Sequence, residues 1–289
     1  MRELEVRIEK FAFGGSGFGH VNGKACFVPF TVPGDLARVR VAREKKSYIE
    51  AELVEIISAS AKRISPPCPV FGECGGCSMQ HMSYADQLTA KQELFVEQLS
   101  RFARVDPTLI SPISLAETPW GYRSRVQIKI RFIGSQLMMG FYRPGTHFVV
   151  PFPDRCATAS PVINTVISEL KECLPLSPQP DRIPQVDVAT GDDGQAIVII
   201  HYIGDSKGSV FRFFSETHEK LIPSANGIWL QHGRKNSLEH IAGLERLSYG
   251  LTVNTHSAAH DLRLYFSKGG FSQGNHLQNP HLVHLACDM

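Results

Sequence analysis

The segment from Cys68 to Cys77 constrains this chain more than any other. It places three cysteines with five and two residues between them, and Gly75 and Gly76 fill the shorter gap. Such spacing suits a metal centre better than a packing site. Glycines lack a Cβ, so the backbone can wrap tightly around a bulky centre and aim its N–H groups at the sulfurs. A fourth ligand is required, and Cys156 is the candidate. It lies nearly eighty residues beyond Cys77, so it can close the site only if the intervening chain folds back.

Three chemistries remain open for these cysteines. An iron–sulfur cluster takes four thiolates. Structural zinc takes the same number, usually as two close pairs, and Cys156 has no nearby partner. Disulfides need an oxidising compartment, whereas seven cysteines are an odd number and Met1 to Glu5 do not resemble a secretion signal. The expected compartment is therefore the cytoplasm, where reduced thiols suit a metal. No apolar run reaches the length of a membrane span. A net charge of +2 is too small to demand a polyanionic partner, so any nucleic-acid surface must come from local clustering. With 289 residues, 43% of them hydrophobic, the chain can fill two or three domain cores.

Residues 1–60 read as a small all-β module. Leu4, Val6 and Ile8 alternate with charged residues, a glycine-rich turn follows at Phe13 to Gly19, and 25–30, 37–41 and 49–57 supply further short strands. Strands of this size and number predict a barrel. No helix pattern follows the glycine-rich turn, so it lacks the dipole and aligned amides of a phosphate loop. Lys10, Phe11, Phe13, Phe18 and His20 cluster around this turn, and Arg43, Lys45, Lys46 and Tyr48 lie on a later hairpin. Small barrels hold single-stranded RNA with such a mixture of cations and rings. After the cysteines, Ser83 to Asp86 has the spacing of a capping box, and Leu88, Phe95, Leu99 and Phe102 follow at helical intervals until Pro107. This predicts a helix with one face buried under the cysteine segment. His81, just before it, is expected to be a hydrogen-bonded packing residue rather than a ligand.

From Gly121 to Arg131 a period of two places Arg123, Arg125, Gln127, Lys129 and Arg131 on one face and Val126, Ile128 and Ile130 on the other. Four cations without an acid along one face predict a phosphate-tracking surface. Ser160 and Pro161 open a helix to about Leu174, segments 186–189 and 196–202 flank a turn at 191–194, and 210–221 reads as a helix. Further apolar segments at 228–230 and 262–266 complete an α+β pattern.

Two of these stretches resemble known sequences. Val28 to Asp35, followed by Lys45, Lys46 and Tyr48, resembles a TRAM domain. Pro67 to His81 resembles the cluster motif of the RNA uracil-C5 methyltransferases, 23S rRNA enzymes among them. Gly140 to His147 is similar to that family's hairpin at the same place, and Phe271, Gln273 and Asn275 to its Phe-x-Gln-x-Asn segment. The resemblance implies a [4Fe-4S] cluster on Cys68, Cys74, Cys77 and Cys156, with S-adenosylmethionine as methyl donor and Gln273 in contact with it. It also implies an RNA substrate, ribosomal RNA ahead of transfer RNA, for which Lys10, Phe13, Phe18, Lys45, Lys46, Arg123, Arg125, Lys129 and Arg131 are the binding candidates.

The expected fold class is an α+β multidomain chain. It has an OB-like TRAM barrel at 1–60, an iron–sulfur segment with a helix at 61–110, a central α+β domain at 111–275 and a truncated tail at 276–289. A Rossmann-like methyltransferase domain is expected to be absent, because only 14 residues follow Asn275. No catalytic residue is then assigned. The chain is expected to be a truncated 23S rRNA-type enzyme, inactive alone; the alternatives are a non-catalytic RNA-binding module, or the transfer-RNA-type half of a split enzyme served by a separate catalytic chain.

Overall fold

A computed structural model of the protein describes residues 2–204, 208–233, 237–254, 259–267, 270 and 272–287. The chain divides into two compact units, Met1–Leu115 and Ala116–Met289.

In the first unit, alternation produces six strands: β1 (Glu3–Arg7), β2 (Lys10–Phe11), β3 (Gly17–Val21), β4 (Lys24–Val28), β5 (Leu36–Glu44) and β6 (Tyr48–Ser58). They form one sheet in the order β1-β5-β6-β4-β3-β2, with β4 parallel to β6 and the other pairs antiparallel. Val6 and Ile8 turn inward against Val28, Val39 and Ile49. The sheet curls until β1 meets β3, where the Glu9 N–H donates to the Phe18 carbonyl at 2.8 Å. Only glycine permits that approach at position 19, since a Cβ there would fall 2.1 Å from the Arg7 carbonyl oxygen.

Helix α1 (Tyr84–Gln98) begins as expected, with Ser83 Oγ accepting the Asp86 N–H at 3.1 Å. Its packing differs from the expectation. Ala90 and Leu94 form the stripe that meets Phe11, Val32, Met79 and Met82, while Phe95 and Phe102 stand 55% and 72% exposed. Phe95 lies one position off the Ala90–Leu94 stripe. Beyond Gln98 the helix widens at Leu99–Ala103 and stops at Arg104, whose φ of 55° is left-handed. Residues spaced for a regular helix therefore leave the buried face.

In the second unit a seven-stranded sheet runs β13-β12-β11-β10-β7-β8-β9. Its strands are β7 (Arg125–Ile133), β8 (Gln136–Tyr142), β9 (Val149–Pro151), β10 (Gln185–Thr190), β11 (Ala196–Tyr202), β12 (Gly227–His232) and β13 (Leu238–Gly243). Helices α2 (Pro161–Cys173) and α3 (Ser209–Leu221) cover one face, where Ile163, Ile167, Leu170 and Phe214 bury Val126, Ile128, Val198 and Ile200. On the other face Ile197, Ile199 and Trp229 receive Leu247 from a two-stranded ribbon, β14 (Arg246–Asn254) and β15 (Ala259–Ser267). Covered on both faces, β11 opens with a continuous apolar run, Ala196–Ile200, rather than an alternating one.

The segment expected as a truncated tail, 276–289, contains helix α4 (Asn279–Cys287), which joins the ribbon through His284 Nε2, 2.6 Å from the Thr252 carbonyl oxygen. Among the described residues no helix is long and apolar enough to cross a membrane.

Candidate nucleic-acid interface

Across β3, β4 and β6 the rings of Phe18, Phe27 and Tyr48 form a file on the outer side of the barrel. Their centroids are 5.6 and 6.1 Å apart, and His20 lies 5.0 Å from Phe18. Phe27 was not singled out in the sequence, although its period-two neighbours Cys26 and Val28 are both buried and so force it outward. Phe13 stands 86% exposed at the glycine-rich turn. Lys45 and Lys46 are exposed in the β5–β6 hairpin, where the Lys45 N–H reaches the Tyr48 carbonyl at 2.8 Å. Lys10 is partly committed, its Nζ 2.6 Å from Glu97 and 5.6 Å from the Phe18 centroid. Accessible rings with cations nearby are the combination on which single-stranded nucleic acids stack their bases and pair their phosphates.

The basic stripe on β7 is divided. Arg125 donates to the Gly270 carbonyl and lies 3.9 Å from the Asp187 carboxylate. Lys129 donates to Gln185 and sits 5.4 Å from the Tyr142 ring. The Arg123 guanidinium lies 5.9 Å from the Phe141 ring, and Arg131 is exposed. The acid missing from the β7 face comes from the neighbouring strand, because Asp187 on β10 stands opposite Gln127. Burial pushes the Asp187 carboxyl up, but hydrogen bonds with His201, Gln185 and Gln127 outweigh it and hold the group below its ordinary value.

The cysteines fall into classes. Cys68, Cys74, Cys77 and Cys156 are half-buried, Cys26 and Cys173 are buried, and Cys287 is exposed. Burial pushes the Cys26 thiol up to about 11 and that of Cys173 to about 12, so neither supplies a thiolate near neutral pH. In the loop, Gly76 donates its N–H to Cys74 Sγ at 3.4 Å, and the Cys68 N–H reaches Gln80 Oε1 at 3.2 Å. Cys156 is clamped by Asn164, whose Oδ1 accepts the Cys156 N–H at 2.8 Å and whose Nδ2 donates to the Cys156 carbonyl at 3.1 Å. Half-buried sulfurs and an amide aimed at one of them are donor chemistry that fits a thiolate-held centre. Among the described residues no set of three or more His, Cys, Asp or Glu side chains is gathered to hold a metal ion. His81 is a packing residue, as expected. It is fully buried, its Nε2 donates to the Thr31 carbonyl at 3.2 Å, and its ring lies 5.3 Å from Phe71.

Gln273 has an exposed side chain on a fixed backbone. The Ser124 N–H donates to the Gly274 carbonyl at 2.9 Å, and Ser124 Oγ lies 3.2 Å from the Gln273 carbonyl. Asn275 bridges to Arg123, and its Oδ1 caps the turn at Gln278. Ser124, Thr190, Asp192, Tyr249, Gln273 and His276 are among the residues that line a small recess. Phe271 lies outside the described residues.

Residues 1–54 match the TRAM domain. Over 99% of its length the chain is 30% identical to the 23S rRNA (uracil(1939)-C(5))-methyltransferase RlmD of Alkalilimnicola ehrlichii, covering 62% of that protein. It is 32% identical over 98% of its length to the RlmD protein of Acidithiobacillus ferrooxidans, again covering 62%. The chain thus spans about three fifths of the length of these curated relatives. A crystal structure of Pyrococcus abyssi tRNA (uracil-54, C5)-methyltransferase in complex with S-adenosyl-L-homocysteine matches 98% of this chain and 64% of that one, with a TM-score of 0.66 and 20% identity. At that identity the likeness is one of fold. It overturns the expected fold class, which described a chain without a methyltransferase domain, because 98% of this chain follows the fold of a methyltransferase. It gives no support to the expected truncation.

Proposed function

We propose that this protein acts in S-adenosylmethionine-dependent methylation of uracil C5 in RNA, ribosomal RNA ahead of transfer RNA, in the cytoplasm. The observation that carries the reading is the 30–32% identity, over nearly the whole chain, to 23S rRNA uracil-C5 methyltransferases. The half-buried file of Phe18, Phe27 and Tyr48, with the exposed Phe13, Lys45 and Lys46 beside it in sequence, supports RNA as the substrate. Within this reading Cys68, Cys74, Cys77 and Cys156 hold an iron–sulfur cluster, and Gln273 touches the methyl donor. The cluster, when bound, supplies a cross-link between distant parts of the chain. Reactions of this class proceed by thiolate attack on C6 of a flipped uracil. Cys26 and Cys173 are unsuited to that step, because burial keeps both protonated.

The test is equilibrium binding of the iron-loaded protein to unmethylated 23S rRNA fragments, to transfer RNA and to single-stranded DNA of matched length. The expected order of affinity is ribosomal RNA, transfer RNA, DNA. Equal affinity for RNA and DNA overturns the reading, and preference for transfer RNA overturns the assignment to ribosomal RNA.

A further inference from the structure

Three residues before β7 join two distant segments. Along one edge, Gly121 and Arg123 donate their N–H groups to the carbonyls of Ala157 and Thr158 at 3.0 and 2.8 Å, and Ser160 returns a bond to Arg123 at 3.0 Å. Along the other, the Ser124 N–H holds the Gly274 carbonyl at 2.9 Å. Ser124 adds its hydroxyl, 3.2 Å from the Gln273 carbonyl and 3.3 Å from that of Gly274. Its own carbonyl accepts the Thr190 N–H at 2.8 Å, which pins the serine to β10. The residue is only 4% exposed, which limits competition from water for these bonds. The Gln273 side chain, by contrast, is exposed.

We infer that Ser124 is a positioning residue, which fixes the backbone of residues 273 and 274 so that the Gln273 amide is presented to the methyl donor. The inference rests on the proposed contact between Gln273 and the donor. A hydroxyl that shares its one proton between two consecutive carbonyls restrains the orientation of both peptide units, and this restraint sets the direction in which Gln273 leaves the chain. Ser124 touches neither donor nor RNA in this account. It acts through the segment it holds.

The test compares the wild-type chain with Ser124→Ala, Ser124→Thr and Gln273→Ala in two measurements: amide hydrogen exchange at residues 272–278, and affinity for S-adenosylhomocysteine. Ser124→Ala is expected to speed exchange by roughly five-fold, the change that loss of one net hydrogen bond makes to a local opening, and to weaken binding by a similar factor. Exchange in β7 and α2 stays at the wild-type rate. Ser124→Thr retains the hydroxyl and restores both readouts, while Gln273→Ala weakens binding without faster exchange. Faster exchange in Ser124→Ala with unchanged affinity assigns the serine a merely structural role and overturns the inference, as does unchanged exchange. Failure of the wild-type protein to bind S-adenosylhomocysteine overturns the donor contact itself, and the inference with it.

Discussion

Arg63 Nη2 lies 2.5 Å from Asp35 Oδ2, and the Asp35 side chain is fully buried. The carboxylate also accepts the N–H groups of Val32 and Ser60 at 2.7 and 2.9 Å, while the same guanidinium nitrogen donates to the Phe30 carbonyl at 2.9 Å. One acid thus joins the loop after β4 to the segment that leads into the cysteines. Asp35→Ala leaves two amides and a cation without their partner and is expected to cost about 3–5 kcal/mol, as breaking a buried ion pair does. Urea unfolding followed by circular dichroism checks this. A loss under about 1 kcal/mol would mean that water replaces the carboxylate.

Acid destabilises the same joint in two steps. Burial pushes the His81 imidazole below its ordinary 6.5, so its neutral form stabilises the fold above that pH and the contribution is lost as pH falls below it. For Asp35 burial pushes upward, but hydrogen bonds from Arg63, Ser60 and Val32 prevail and lower its value below 3.8, so its contribution is present above 3.8 and lost below. Unfolding midpoints between pH 8 and pH 3 should show both declines. Replacement of His81 by Asn should remove the upper one and leave the lower.

Much of this was legible in the sequence, and the exceptions share a cause. The barrel strands, the Ser83 cap and the helix opened by Ser160 and Pro161 follow from period and local hydrogen bonding, which neighbouring residues decide. The pairing of Gln127 with Asp187 was not legible, because the two residues are brought opposite each other only by the β7–β10 register. The seat of α4 on the ribbon depends likewise on residues 32 apart, His284 and Thr252. At the candidate site, the exposed Phe13, Lys45 and Lys46 were visible as composition, whereas Phe27 emerged only once its strand had an inside and an outside.

The two basic regions should behave differently toward RNA. Lys45→Ala and Lys46→Ala are each expected to lower the salt slope of binding by roughly one unit, and Phe13→Ala to cost about 1–3 kcal/mol with little change in slope. Arg125, tied to Gly270 and Asp187, should show its effect in stability instead. Fluorescence anisotropy over a salt series separates these outcomes. A slope change for Arg125→Ala with no loss of stability would return that residue to the RNA surface.

Cysteine chemistry should follow burial. In the native protein, Cys26 and Cys173 should resist alkylation at neutral pH, since both are fully buried thiols pushed up to about 11 and 12. Their serine variants should retain about four irons per chain, whereas Cys74→Ser and Cys156→Ser should lose the brown colour. Iron analysis of anaerobically purified protein decides the matter, and stoichiometric zinc in place of iron would contradict the cluster.

The central claim is that this chain recognises RNA at a uridine destined for C5 methylation. Its most direct test is photo-crosslinking of the iron-loaded protein to unmethylated 23S rRNA carrying 4-thiouridine, with crosslinked positions read by reverse transcription and protein contacts by mass spectrometry. The account predicts crosslinks to peptides containing Phe13, Phe18, Phe27 and Tyr48, clustered around one uridine that carries 5-methyluridine in mature RNA. Crosslinks scattered over the RNA, or confined to peptides away from the barrel, would contradict it.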